Sequence, residues 1–352
     1  MKRLLNCSGL TRRLFLRRTA AGTWLLSALG AVVGAPPRVA AAARAAAPAA
    51  NPYAYDIEAL KKVDPNLIHF QEAGRIRSPQ PEPRRLAVGP DGSLYVAGGN
   101  SVVVLDGKGN RRTEINANAP VRSMAVAPDG LVYVGVRDHI EVFDSKGGRK
   151  AAWEAPAAKT WFASLAAGEN HLFASDAGNR VVLRYDRAGK LLGRVGEKSK
   201  DAKRSMFIVP SPYFDLEIGP DGLLWVVNPG QHRLEAYTFD GAFETSWGEA
   251  SFGIKGFCGC CNPSYFTRFP DGRFVTSEKG LPRIKVYSAR GEFESVVAGP
   301  DLFPKYLENL NSNPVGMDVA VDANGQVLVA DLLAGDLRIF KRTKDPARAD
   351  YK

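Results

Sequence analysis

One unit recurs from about residue 80 onward. It comprises a short apolar run, a tight turn usually written Pro-Asp-Gly, a second apolar run, a Gly- or Asn-rich turn and a third run. The turn residues Asp91, Asp129, Glu169, Asp221, Asp271 and Asn324 are spaced 38, 40, 52, 50 and 53 residues apart. Behind each stands the same strand: Leu94-Tyr95-Val96, Val132-Tyr133-Val134, Leu172-Phe173-Ala174, Leu224-Trp225-Val226, Phe274-Val275-Thr276 and Val327-Leu328-Val329. Units this small cannot bury an apolar face alone, so neighbours must stack. Short β-rich strands at a period of about 40–50 residues predict the blades of a β-propeller. Six units predict six blades and an all-β chain.

Strand counting predicts how the ring closes. The first five units supply a fourth strand, whereas the sixth runs into Lys341-Arg342-Thr343 without one. An extra strand, Leu67-Ile68-His69-Phe70-Gln71-Glu72, stands ahead of the first unit. Pairing this N-terminal strand with the last blade leaves no free sheet edge. The expected map is a targeting segment with an Ala/Pro-rich tail over 1–50, a linker over 51–66, the propeller over 67–345 and a tail over 346–352.

The run Pro314-Val315-Gly316-Met317-Asp318-Val319-Ala320-Val321 is followed by Asn324-Gly325, Val329-Ala330-Asp331 and Arg338-Ile339-Phe340, and it closely resembles an NHL repeat. The other units match more loosely, the first two least. The resemblance covers about residues 67–345 and implies a six-bladed NHL-type propeller. It implies no particular reaction, because that scaffold hosts binding modules, lyases and lactonases alike.

The formal net charge of +10 points to a polyanion partner only until it is located. Eight of the 47 basic residues, and no acidic one, fall within positions 1–50, leaving 39 basic against 37 acidic residues beyond them. A nucleic-acid partner for the folded part is therefore not expected. Thr11-Arg12-Arg13-Leu14-Phe15-Leu16-Arg17, a weakly apolar stretch and an Ala-rich tail resemble a twin-arginine export signal. That resemblance implies passage through the twin-arginine translocase, signal cleavage and a periplasmic mature chain. The apolar stretch contains Gly22, Gly30 and Gly34 and is shorter than the ~20 apolar residues a membrane span needs. No integral span is expected in the mature chain.

Strands alternate in direction within a blade. The connection into each first strand and the turn between the second and third strands therefore share one face. Long connections, roughly 196–210, 248–262 and 299–314, gather on that face, where an unknown protein or small-molecule ligand is expected. The Pro-Asp-Gly turns lie opposite and read as turn chemistry. The middle loop carries Gly256-Phe257-Cys258-Gly259-Cys260-Cys261-Asn262-Pro263, with every cysteine beyond the targeting segment. One reading is a disulfide with one thiol left over. Cys258–Cys261 is the easier pairing, because a bridge between adjacent residues is strained. The other is a soft-metal or iron-sulfur cluster site in which Cys258, Cys260 and Cys261 converge on copper, iron or zinc with His232 as the added ligand.

Six residues before each turn residue stand Arg85, Ser123, Ala163, Asp215, Tyr265 and Asp318. Asp215 and Asp318 flank the cysteine blade, and two carboxylates near a channel mouth can hold a hard cation such as calcium. The alternative is pairing with Arg85 or bonding to backbone amides of the next blade. Seven residues after the turn, Asp176, Asn228, Glu278 and Asp331 each precede an arginine, namely Arg180, Arg233, Arg283 and Arg338. Such repetition argues for pairs within each blade rather than catalysis. There is no G-x-S-x-G elbow, P-loop or G-x-G-x-x-G. Three functional readings follow: a binding module with a metal or redox C-x-C-C site, a metal-dependent lyase or lactonase-like enzyme using Asp215 and Asp318, and a structural interaction module with a disulfide.

Overall fold

The computed structural model describes residues 56–196, 206–308 and 315–344. The expected targeting segment lies outside them. The described residues form six four-stranded antiparallel sheets. The innermost strands are Arg85–Val88, Val121–Val126, Phe162–Ala167, Leu216–Ile218, Tyr265–Arg268 and Val319–Val321. Each packs against the next and the last packs against the first, so the sheets are the blades of a six-bladed β-propeller.

Ring closure follows the expected route. Strand Phe70–Arg77 pairs antiparallel with Asp336–Arg342, the third strand of blade six, in a register running from Phe70↔Arg342 to Arg77↔Asp336. The strand begins later than the sequence suggests, because Pro65–Leu67 forms a 3-10 turn. Asp64 caps that turn by accepting the Asn66 N–H. Proline at the first position and an Asp cap favour such a turn over an extended strand. Arg338 and Glu72 close the seam at 2.6 Å.

Burial falls from the middle of each blade outward. Leu94–Gly98, Val132–Val136, Leu224–Asn228, Phe274–Glu278 and Val327–Asp331, all second strands, are buried along their whole length. Their β-branched and aromatic side chains pack against neighbouring blades on both faces, each apolar side chain contributing about 1.5–3 kcal/mol. The outermost strands Arg149–Trp153 and Leu191–Val195 are mostly exposed. In four Pro-Asp-Gly turns the aspartate (Asp91, Asp129, Asp221 or Asp271) accepts the N–H two residues on. The following glycines have φ between +74° and +88°, a region glycine occupies without strain.

The blade-internal polar/Arg pairs form in blades five and six, as Glu278–Arg283 at 2.8 Å and Asp331–Arg338 at 3.6 Å. In blade four Asn228 is neutral, so Arg233 pairs with Glu235 instead, and the Asn228 amide donates to the same carboxylate. In blade three Asp176 is taken up by Thr160, the Trp161 N–H and Asn179 rather than by Arg180. Among the described residues no helix is long and apolar enough to cross a membrane.

Candidate functional site

The residues at the starts of the inner strands converge on the propeller axis. Arg85 of blade one reaches Asp215 of blade four at 3.1 Å and the Ser164 hydroxyl of blade three at 3.0 Å. Its Nε lies 3.4 Å from Asp318 of blade six. Each carboxylate also accepts a backbone N–H of the following blade, Phe266 for Asp215 (3.0 Å) and Leu86 for Asp318 (2.7 Å). Asp215 additionally accepts the Ser164 hydroxyl at 2.6 Å. All three charged groups are buried, and the Tyr265 ring covers the guanidinium, 4.7 Å from its carbon. Arg85 therefore occupies the space between the two carboxylates that a hard cation would need. Its Nε and Nη1 nonetheless make no hydrogen bond.

This cluster separates two hollows. Residues farther along the inner strands, including Glu217, Thr267 and Arg268, line a channel of about 320 Å³. Residues at or just ahead of the starts of those strands, Arg84, Arg122, Trp161, Tyr213 and Tyr265 among them, wall a mouth of about 130 Å³ on the long-loop face. An adjoining hollow of about 410 Å³ shares Trp161 and Pro212 with it and adds Lys159, Val209 and Ser211.

The two hollows differ in charge. Burial, reinforced by the charge of Asp215, pushes the Asp318 carboxyl up to about 7 although Arg85 opposes it. In the channel, burial pushes Glu217 up to about 8, against hydrogen bonds from Thr267 and the Arg268 N–H. At the mouth the charges are cationic. The Arg122 and Arg137 guanidinium carbons lie 5.3 and 6.0 Å from the Trp161 ring centre, and Lys279 Nζ lies 5.4 Å from that of Tyr213. Among the described residues none of these three cations has a carboxylate partner, and each is held by the negative face of an aromatic ring.

The cysteine loop borders this mouth and is held by its own blade. Lys285 donates to the carbonyls of Ile254 (3.1 Å) and Gly256 (2.6 Å), Arg283 to that of Phe252 (3.2 Å), and the Tyr287 hydroxyl to that of Lys255 (3.0 Å). Lys285 and Arg283 both rest on Glu278, 2.8 Å from each, and Glu278 accepts the Cys258 N–H at 2.9 Å. Glu278 and Lys285 are fully buried. Burial alone would raise Glu278, but the two cations hold it below the usual carboxylate range, while burial brings Lys285 down to about 8.

The predicted ligands fall into separate settings. Cys258 is buried beside Glu278, its thiol pushed up to about 11 by burial and then by the Glu278 charge. His232 turns its Nε2 to the Gly259 carbonyl. Cys260 and Cys261 form the close pair, with sulfurs 3.1 Å apart, Cys260 exposed and Cys261 buried. All three are free thiols. The sequence favoured Cys258–Cys261 as partners. The fold instead turns Cys258 toward Glu278, which already holds its N–H, and brings the adjacent pair together. Among the described residues no three His, Cys, Asp or Glu side chains are grouped to hold a metal ion. Sequence reasoning missed Arg122, Trp161, Tyr213 and Lys279. Their signal was position, since Arg122, Trp161 and Tyr213 sit at or just before the starts of inner strands on the face already marked by long loops.

No protein-family model matches the chain, and no curated protein matches its sequence. Solved structures do match. A streptogramin B lyase structure is 14% identical and aligns over 78% of this chain and 98% of its own, with a TM-score of 0.54. The WD40 β-propeller domain of Doa1 is 12% identical over 77% of this chain and 96% of its own, with a TM-score of 0.50. At such identities the likeness shows the fold, a β-propeller, and nothing of the chemistry.

Proposed function

We propose that this chain is an exported, NHL-type propeller that binds an anionic small molecule with a flat apolar part, in the channel mouth on the long-loop face. The observation that carries this reading is the set of three cations, Arg122, Arg137 and Lys279, that surround Trp161 and Tyr213 without carboxylate partners among the described residues. Aromatic walls give a flat ligand apolar contact, and unpaired cations supply charge-assisted bonds to a carboxylate, sulfonate or phosphate. Export is supported by the twin-arginine-like N-terminus and is tested by sequencing the N-terminus of the mature chain from the periplasmic fraction.

Calorimetric titration with phenyl phosphate and with phenol tests the ligand class. Phenyl phosphate is expected to bind and to weaken with salt, with Arg122→Ala or Lys279→Ala costing about tenfold, roughly 1.4 kcal/mol. Equal binding of phenol, or unchanged affinity in both variants, sinks the reading. A second reading is favoured by one observation, that Asp318 and Glu217 are pushed to about 7 and about 8. A carboxyl in that range can exchange a proton near neutral pH, as a lyase or hydrolase needs. Loss of turnover in Glu217→Gln, with phenyl phosphate binding intact, would favour the enzyme.

A further inference from the structure

We propose that Cys260 and Cys261 are a working dithiol that exchanges with disulfides at the rim of the channel mouth. The inference stands apart from the ligand reading and rests on placement. The two sulfurs lie 3.1 Å apart, one exposed and one buried, which is the arrangement of an attacking and a resolving thiol. Their loop is fastened to blade five by Arg283, Lys285 and Tyr287, so the pair is held together while reduced. Cys258, the third thiol of the run, is kept out by Glu278, leaving the pair without a competing neighbour. Burial raises the Cys261 thiol above its ordinary value, with the Ser211 hydroxyl and the Lys279 ammonium opposing that rise, so Cys261 suits the resolving role and the exposed Cys260 the attack.

The exchange balances as follows. The exposed Cys260 thiolate attacks one sulfur of a disulfide R–S–S–R, forming a mixed disulfide and releasing one thiolate, RS⁻. Cys261 then attacks the Cys260 sulfur, the mixed bond breaks, and a second RS⁻ leaves. The two protons of the protein thiols end on the two released thiolates. The protein dithiol is oxidised to a disulfide and R–S–S–R is reduced to two R–SH. A bridge between adjacent residues is strained, and strained bridges are easily reduced, so the cycle runs in both directions.

The test treats the mature chain with glutathione disulfide, blocks remaining thiols by alkylation and maps the peptides by mass spectrometry. The wild-type protein is expected to lose two hydrogens across Cys260 and Cys261, to carry no glutathione, and to leave Cys258 alkylated. Cys261→Ser is expected to retain one glutathione on Cys260. A stable glutathione adduct on the wild-type protein, a bridge involving Cys258, or three alkylated thiols after treatment would each overturn the proposal. The wild-type map decides the matter even where the variant does not fold.

Discussion

Arg85 and Asp215, 130 positions apart, meet at 3.1 Å on the propeller axis. The contact joins blade one to blade four, and Asp318 brings blade six to the same guanidinium. Opposite sides of the ring are thus tied by charge at a point no blade reaches alone. Removing one partner of such a buried set leaves the other charges without compensation, which costs far more than the pair contributes.

Arg85→Met should therefore destabilise the fold by about 3–5 kcal/mol, read as a lower midpoint in urea denaturation. Adding Asp215→Asn and Asp318→Asn should recover part of that loss. A single variant as stable as the wild type would show that the axis cluster is not buried as described.

Stability should depend on pH through Asp318. Its folded value of about 7 lies above the ordinary carboxylate value near 4, so the folded state holds this proton more tightly than the unfolded chain. Its contribution is fully present below about pH 4 and is lost as pH rises to about 7. The stability difference between wild type and Asp318→Asn should shrink or reverse over that window in denaturation curves taken at intervals of pH. A flat difference would contradict the shift.

Glu278→Gln removes the one carboxylate beneath Arg283 and Lys285. A loss of about 3–5 kcal/mol is expected, since two buried cations lose their partner. The backbone of residues 249–258 should also exchange its amide hydrogens faster than in the wild type. Unchanged exchange there would mean that the cysteine loop is held by packing alone.

Deleting the chain through Arg77 removes the strand that covers Asp336–Arg342. An uncovered strand invites pairing with another chain. Concentration-dependent self-association should follow, seen by sedimentation, where the intact protein shows less.

Most of the architecture was legible in the sequence because a blade is a local object. The turn residues from Asp91 to Asn324 mark its period, and the alternation of apolar runs marks its strands. The missing strand of blade six and the spare one near Phe70 forecast the closure. The polar/Arg repeat misled in blades three and four, where Asp176 and Arg233 found nearer partners, Asn179 and Glu235, on the same blade.

The site was legible only in part. That Asp215, Asp318 and Arg85 occupy equivalent positions could be read from spacing, and spacing alone determined that they line the axis. Which of them touch was decided by the tertiary structure, because closing the ring brings blades one, four and six within reach of a single guanidinium. The cysteines show the same division. Their run marked the loop, but anchoring by Glu278, Arg283 and Lys285 decided which sulfurs face each other. A repeat specifies register within its own unit. Contacts across the axis and between a loop and its blade depend on side-chain directions that exist only once the units are assembled.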